Sequence, residues 1–250
     1  MPNLSIVTIC KNDLLGLKRT IFSLDSMNAG SADVELVLVD GNSNDGTKEY
    51  LSTLCSKAYL VSWVSEVDSG IYAAMNKGVR RATGKWVLFM NAGDELIYEG
   101  NLSNLVKDLD DDFFMFAFSY VRALGTRDKL VSARRVSDWN LRMPSSHQAM
   151  IFQKTCLDQN PFRENLRVCG DYESFLRLIR ESGMDYRCDQ RIISRFFWGG
   201  TSTQDIKTLY FESSAISWQY ARSSLHYGTR ALYFSAAIFK VLLIRWLLRR

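Results

Sequence analysis

Three short acidic loops recur in the first hundred residues, each after an apolar run: LVLVDGNSNDGT at 36–47, WVSEVDSGIYAAMNKG at 63–78 and WVLFMNAGD at 86–94. Asp40 ends one apolar run and is followed by Gly41. A carboxylate at such a strand end can accept from a nucleobase edge or a ribose hydroxyl. Asp45 and Thr47, in the same loop, read as caps of the helix that follows. Asp68 stands just before Gly70 at a helix start, where free backbone N–H groups favour an anion; it reads either as a ligand contact or as a cap. Asn76 and Lys77, followed by Gly78, are poor choices for helix stability alone. Lys77 can reach a phosphate or stay solvated, and Gly78 permits close packing on a sheet. Asp94, with Asn91 nearby, offers the hard oxygen ligands that divalent cations share with water and substrate phosphates, or else it simply closes a turn. The pattern predicts a nucleoside diphosphate held with a cation.

Further candidates lie downstream. His147 sits in the phrase SHQA, and on residue type alone it reads as structural. Gly170-Asp171-Tyr172-Glu173 opens a helix, and two acids in a first turn are favourable there on electrostatic grounds alone. Trp198-Gly-Gly-Thr-Ser-Thr203 is a turn whose hydroxyls and N–H groups, Ser202 among them, could meet a diphosphate, and Arg195 is a further phosphate partner nearby.

The elements that must position these groups follow from apolar patterning. Short β-branched runs at 4–10, 34–39, 59–64 and 86–90 alternate with helical spacing at 14–27, 47–56 and 71–82, Gly84 ending the last. That alternation predicts a parallel α/β sheet, whose strand C-termini share one edge. After residue 100 the rhythm changes: a helix at 102–109, strands at 113–121, weakly at 130–134, at 148–152 and at 187–197, and a helix at 172–182. From 205 to 250 the pattern is helical.

Composition bounds the reading. The chain has 250 residues, 47% of them hydrophobic and 23% charged, enough for one substantial core and too little charge for global disorder. Its net charge of +4 does not argue for nucleic acid, and none is expected as a partner. Residues 200–250 hold seven Lys/Arg against two Asp/Glu. The last stretch, ALYFSAAIFKVLLIRWLLRR at 231–250, carries Lys240 and Arg245 inside an apolar run. It is predicted to lie on a membrane surface rather than to cross it; packing on the body or on a second copy, as a homodimer, is the alternative. Five cysteines at 10, 55, 156, 169 and 188 form no CxxC pair, which favours a reducing compartment. The N-terminus lacks a secretory pattern, so a cytoplasmic location at the inner face of the membrane is expected.

The three loops, in this order and spacing, resemble the family-2 glycosyltransferases of GT-A fold. The phrases VDGNSNDGT, SEVDSGIYAAMNKG and FMNAGD resemble the subgroup that builds bacterial exopolysaccharide and O-antigen units, including colanic-acid-type transferases. The resemblance covers residues 3–95 and scattered points to about 203. It implies a Rossmann-like, mostly parallel sheet flanked by helices over 1–204, with a nucleotide-sugar half at 1–100 and an acceptor and catalytic half at 101–204, then a helical extension at 205–250. It assigns Asp40 and Asp68 to the nucleoside of the donor. The family's metal motif stands here as Asn91-Ala92-Gly93-Asp94, with Asp94 its one carboxylate for Mn²⁺ or Mg²⁺. The resemblance brings His147 near the donor phosphates or the acceptor, and makes Asp171 the catalytic base, with Glu173 the alternative. The expected activity is inverting transfer from a nucleotide-diphosphate sugar, a UDP-sugar by preference, to a polyprenyl-diphosphate-linked saccharide. The alternative is a nucleotide-sugar-binding partner subunit of weak catalysis, motivated by the thinned metal motif.

Overall fold

The computed structural model describes residues 2–26, 33–54, 60–125, 127–136, 142–197 and 205–220. Strands β1 (Leu4–Cys10) and β2 (Val34–Asp40) are buried along their whole length, as central strands covered on both faces must be. They pair in parallel with β3 (Leu60–Ser65) and β4 (Trp86–Phe89) in the order β3-β2-β1-β4. Beyond β4 the sheet continues through β8 (Met150–Gln153), β6 (Met115–Leu124), β9 (Tyr186–Phe197) and the two-residue β5 (Glu95–Leu96), with β7 (Arg127–Val131) on the outside of β6. There β6 and β9 are parallel, whereas β8 is antiparallel to both of its neighbours.

Alternation along the strands divides the core in two. Leu4 and Ile6 of β1 share a cluster with Leu17, Ile21 and Leu24 of α1 (Leu14–Ser26). Val7 and Ile9 face the other way, onto Met75 and Val79 of α3 (Ile71–Arg81) and the cluster that includes Phe175 and Leu176 of α6 (Gly170–Arg180). Helices α2 (Thr47–Thr53) and α4 (Leu102–Lys107) complete the first layer. Gly78 lets α3 settle on β1: a Cβ there would lie 2.3 Å from Val7 Cγ1.

The expected α/β sheet is thus present, with three differences. The strand expected at 148–152 begins as a single 3-10 turn, His147–Ala149, before β8. Helix α5 (Lys154–Gln159) and β5 have too few residues to show a period in sequence. The last described helix, α7 (Ile206–Gln219), covers only the start of the expected extension; the tail at 231–250, Ser202 and its Gly-Gly turn lie outside the described residues.

Asn76 explains itself once folded. Its amide donates from Nδ2 to the Phe162 carbonyl at 2.9 Å and accepts at Oδ1 from the Phe162 N–H at 2.9 Å, tying α3 to the segment after α5. Asn76→Ala orphans both buried backbone groups, and should cost about 2–4 kcal/mol in denaturant unfolding.

Candidate active site

The parallel register brings Cys10, Asp40 and Ser65 level with one another at the C-terminal edge of the sheet. A cleft of about 500 Å³ opens over this edge, lined by residues of all three acidic loops together with His147 and Asp171.

Asp40 lies beneath the cleft floor, fully buried. Its carboxylate accepts from the Ser43 N–H at 3.1 Å, the Ser43 hydroxyl and the Ser65 hydroxyl at 2.6 Å. It knots the loop that presents Gly41 to the cleft. Asn12, at φ +51°, accepts from the Asn44 N–H at 3.0 Å and donates its own N–H to Ser43 Oγ at 2.7 Å, so the loops after β1 and β2 are zipped together. Asp45 accepts from the Thr47 N–H and hydroxyl and from the Leu14 N–H; it satisfies the first helical N–H from one residue before the N-cap, Gly46, while Thr47 is the first residue of the helix rather than a cap.

Asp68 lines the cleft with its side chain only 6% exposed. Lys77 donates to Asp68 Oδ1 and lies 2.7 Å from Glu66 Oε1. Burial alone would lower the Lys77 pKa, but the two carboxylates outweigh it and the pKa is raised. Lys77 is therefore engaged on this loop and does not line the cleft. Asp68 Oδ2 is buried with no protein partner, the state of an acceptor that a ligand N–H or O–H would complete.

The third loop turns tightly, Asp94 N–H donating to the Asn91 carbonyl at 3.1 Å, and Gly93 supplies the left-handed residue at φ +97° that a side chain would resist. Thr20 of α1 locks the turn by donating to the Asp94 carbonyl at 2.7 Å and accepting from the Gly93 N–H. The Asp94 carboxylate accepts from Gln148 Nε2 at 2.7 Å. Burial pushes its pKa up to about 6, against the pull of His147, Gln148, the Phe197 N–H and Arg19.

Opposite stands the base candidate. Asn91 Nδ2 lies 2.9 Å from His147 Nε2, and His147 Nδ1 lies 3.3 Å from Asp171 Oδ2. An amide donating to Nε2 leaves the proton of the neutral ring on Nδ1, directed at Asp171. Asp171 Oδ1 accepts from the Tyr172 N–H at 2.9 Å and from the Tyr72 hydroxyl at 3.2 Å. Burial works against the charged form, yet these contacts, His147 foremost, hold the Asp171 pKa below the usual carboxylate range. Glu173 turns away: it is 1% exposed and meets Arg163 Nε at 3.1 Å, Arg177 Nε at 3.2 Å and the Tyr220 hydroxyl at 2.9 Å.

The cleft thus gathers Asp68, Asn91, Asp94, His147 and Asp171. Arg195 is not among its lining residues and pairs with Glu95 at 3.2 Å and Asp128 at 3.0 Å. Lys11, Arg19 and Arg167 line it and were not singled out from sequence; Lys11 follows β1 and so obeyed the same strand-end rule as the three acidic loops. Arg19 stacks its guanidinium 4.6 Å from the centre of the Phe197 ring.

The third loop fits a hard divalent cation whose shell the substrate completes. Asp94 supplies one carboxylate, and Asn91 Oδ1 is buried without a protein partner. Among the described residues no group of three or more His, Cys, Asp or Glu stands ready to hold a metal; a cation held here would take its remaining ligands from phosphate and water.

The sequence profile of Glycosyl transferase family 2 matches residues 5–168. An uncharacterized glycosyltransferase of Mycobacterium tuberculosis is 38% identical over 93 residues, 37% of this chain, and the match spans about a third (34%) of that relative's length. A PGL/p-HBAD biosynthesis glycosyltransferase of Mycobacterium bovis is 24% identical over 80% of this chain and 79% of its own. In structure, Staphylococcus aureus TarS residues 1–349, solved with UDP-GlcNAc, superposes with a TM-score of 0.66 at 16% identity, covering 90% of this chain and 68% of that one. The mannosyltransferase PcManGT of Pyrobaculum calidifontis, solved with GDP-Man and Mn²⁺, gives 0.67 at 15% identity over 89% and 65%. These likenesses establish the GT-A fold.

Proposed function

The chain belongs to glycosyl transferase family 2, and on that premise we propose that it moves a sugar from a nucleoside-diphosphate donor, a UDP-sugar, to a polyprenyl-diphosphate-linked saccharide in surface-polysaccharide synthesis, with inversion. The observation that carries this reading is the Asp171 carboxylate, partly open to the cleft (22% exposed) and held with a depressed pKa in the same cleft as the three acidic loops. An ionised carboxylate there can take the acceptor hydroxyl proton as that oxygen attacks the anomeric carbon and the nucleoside diphosphate leaves. One base and one displacement give inversion.

Asp68 and the Asp40–Gly41 loop hold the nucleoside, Asp68 through its unpartnered Oδ2. Lys77 serves by holding Asp68 in place. Asp94 and Asn91 would hold Mn²⁺ or Mg²⁺, which when bound supplies positive charge against the leaving diphosphate. Lys11, Arg19 and Arg167 add positive charge along the same cleft. His147 orients and supports Asp171. A phosphate role for Arg195 requires it to leave Glu95 and Asp128. The nucleotide sugars and Mn²⁺ held by the solved neighbours support the donor class and the cation.

For the acceptor side, α7 leaves Phe211 and Trp218 exposed, and the basic apolar stretch at 231–250 follows it. Among the described residues no helix is long and apolar enough to cross a membrane. A chain lacking 231–250 is expected to detach from anionic liposomes in flotation; undiminished binding overturns the membrane contact.

The activity is tested by a thermal-shift screen of nucleoside diphosphates with and without Mn²⁺, followed by transfer and donor-hydrolysis assays. Stabilisation by UDP with turnover of a UDP-sugar is the expected result. Stabilisation by UDP with no turnover of any donor would instead favour a nucleotide-sugar-binding subunit, a reading that the single carboxylate of the third loop motivates.

A further inference from the structure

Helix α7 grips the segment that carries the base. Glu212, near its middle, accepts three consecutive backbone N–H groups: Arg167 at 2.7 Å on Oε1, then Val168 at 2.9 Å and Cys169 at 2.8 Å on Oε2. Asp171 follows two residues later. The other side of the same segment is fixed by the Tyr72 hydroxyl, which donates to the Val168 carbonyl at 2.7 Å and also reaches Asp171. Two further contacts bind α7 to this region: Ser217 Oγ lies 3.2 Å from the Tyr172 hydroxyl, and the Cys169 thiol donates to the Leu209 carbonyl.

We infer that Glu212 is a positioning residue for the transfer reaction, setting the place of Asp171 and of the cleft-lining Arg167 and Val168 by fixing the backbone from which all three project. The inference rests on Asp171 being the base. Glu212 is not among the cleft-lining residues and acts only through the segment it holds. Its charge matters as much as its shape. Charge-assisted hydrogen bonds to backbone N–H are about twice as strong as neutral ones, and only a carboxylate presents acceptors at both ends. An amide in its place keeps one acceptor and turns an NH₂ toward a backbone N–H, donor against donor. The segment must then shift, and a shift of about 1 Å at a catalytic group can cost on the order of 100-fold in rate. The nucleoside loops are organised by Asp40, Asn12 and Lys77, none of which bonds to Glu212.

The test compares the full chain with Glu212→Gln and Glu212→Asp. It measures kcat, donor KM, UDP affinity and amide hydrogen exchange over 167–169. Glu212→Gln should lower kcat about 10- to 100-fold, change donor KM and UDP affinity by only a few-fold through the displaced Arg167, and speed exchange at 167–169 but not in β1 or β2. Glu212→Asp, which keeps the charge, should recover part of the rate, and it carries the test if the Gln variant fails to fold. A Gln variant with wild-type kcat, or one whose UDP affinity falls in step with kcat, overturns the assignment. Wild-type protein that transfers no sugar would sink the transferase reading itself, a result distinct from either.

Discussion

Asp171→Asn is expected to leave the chain folded and to slow sugar transfer by about 10²–10⁴-fold, the usual contribution of a positioned base. The fold survives because the site can absorb the amide. The Asn carbonyl oxygen at the Oδ1 position keeps the Tyr172 N–H, and its NH₂ at the Oδ2 position donates to His147 Nδ1 once the ring carries its proton on Nε2 and Asn91 turns its Oδ1 toward it. The Tyr72 hydroxyl keeps its proton on the Val168 carbonyl at 2.7 Å. Loss of stability should stay within about 1–2 kcal/mol. What disappears is, among the described residues lining the cleft, the one that pairs an exposed edge with a depressed carboxylate pKa. UDP affinity should change little, because Asp68 and the Asp40–Gly41 loop are not among the bonded partners of Asp171. Glu173→Gln should behave in the opposite sense. That carboxylate is buried between Arg163, Arg177 and Tyr220, so its loss leaves cations unpaired and lowers stability by about 3–5 kcal/mol, while chemistry in surviving protein is little altered. Steady-state transfer assays beside thermal unfolding separate the two. Full activity in Asp171→Asn would remove it as the base.

The contrast between these two acids shows where sequence reading works and where it stops. Apolar patterning placed β1, β2 and β4 because each is a continuous buried run, and α3 because Ile71, Met75 and Val79 recur at helical spacing. Once the strands are parallel, their C-terminal loops must share an edge, so the meeting of Asp68, Asn91 and Asp94 was legible. Asp171 and Glu173 were not separable by composition, since both are favourable in a first helical turn. Two residues of helix turn a side chain through about 200°, however, so one must face the body when the other faces the cleft. The partners of Lys77 and Arg195 were illegible for a different reason. Their charges looked available for phosphate, but Asp68, Glu66, Glu95 and Asp128 claim them through contacts that only the folded chain creates. Asn76 is the reverse case: an unfavourable helix residue in sequence, it serves two backbone groups of a segment 86 residues away.

Asp94→Asn should abolish most activity and yet leave the protein as stable as the wild type or more so at pH 7.5. The reason is the sign of its pKa shift. Burial raises Asp94 from 3.8 to about 6, so between about pH 4 and pH 6 the folded chain holds a proton that the unfolded chain has released. Stability contributed by this group therefore falls as pH rises through that window, by up to about 3 kcal/mol for a shift of about two units, and the full cost is in place above pH 6. The neutral amide carries no such cost, and Gln148 Nε2, now 2.7 Å from the carboxylate, can donate to the Asn carbonyl instead. In EDTA, the wild-type Tm should rise relative to Asp94→Asn as pH is lowered from 7.5 to 5, the gap between them closing. Activity moves the other way. Protonation of Asp94 removes the one anionic cation ligand of the third loop and so competes with the cation; the acid limb of wild-type transfer should lie at or below about pH 6 and move to lower pH as Mn²⁺ is raised. Asp171, held ionised, is not expected to set that limb. Asp94→Asn should lose about 10²–10³-fold above that limb, the scale of losing one charge-stabilising contact to a leaving group, and the gap should narrow below it as the wild-type carboxyl protonates. A variant clearly less stable than wild type at pH 7.5, or a Tm gap that does not change with pH, would mean that Asp94 is already ionised and compensated in the folded chain. The cation would then be held by a preformed charge rather than by one that its binding creates.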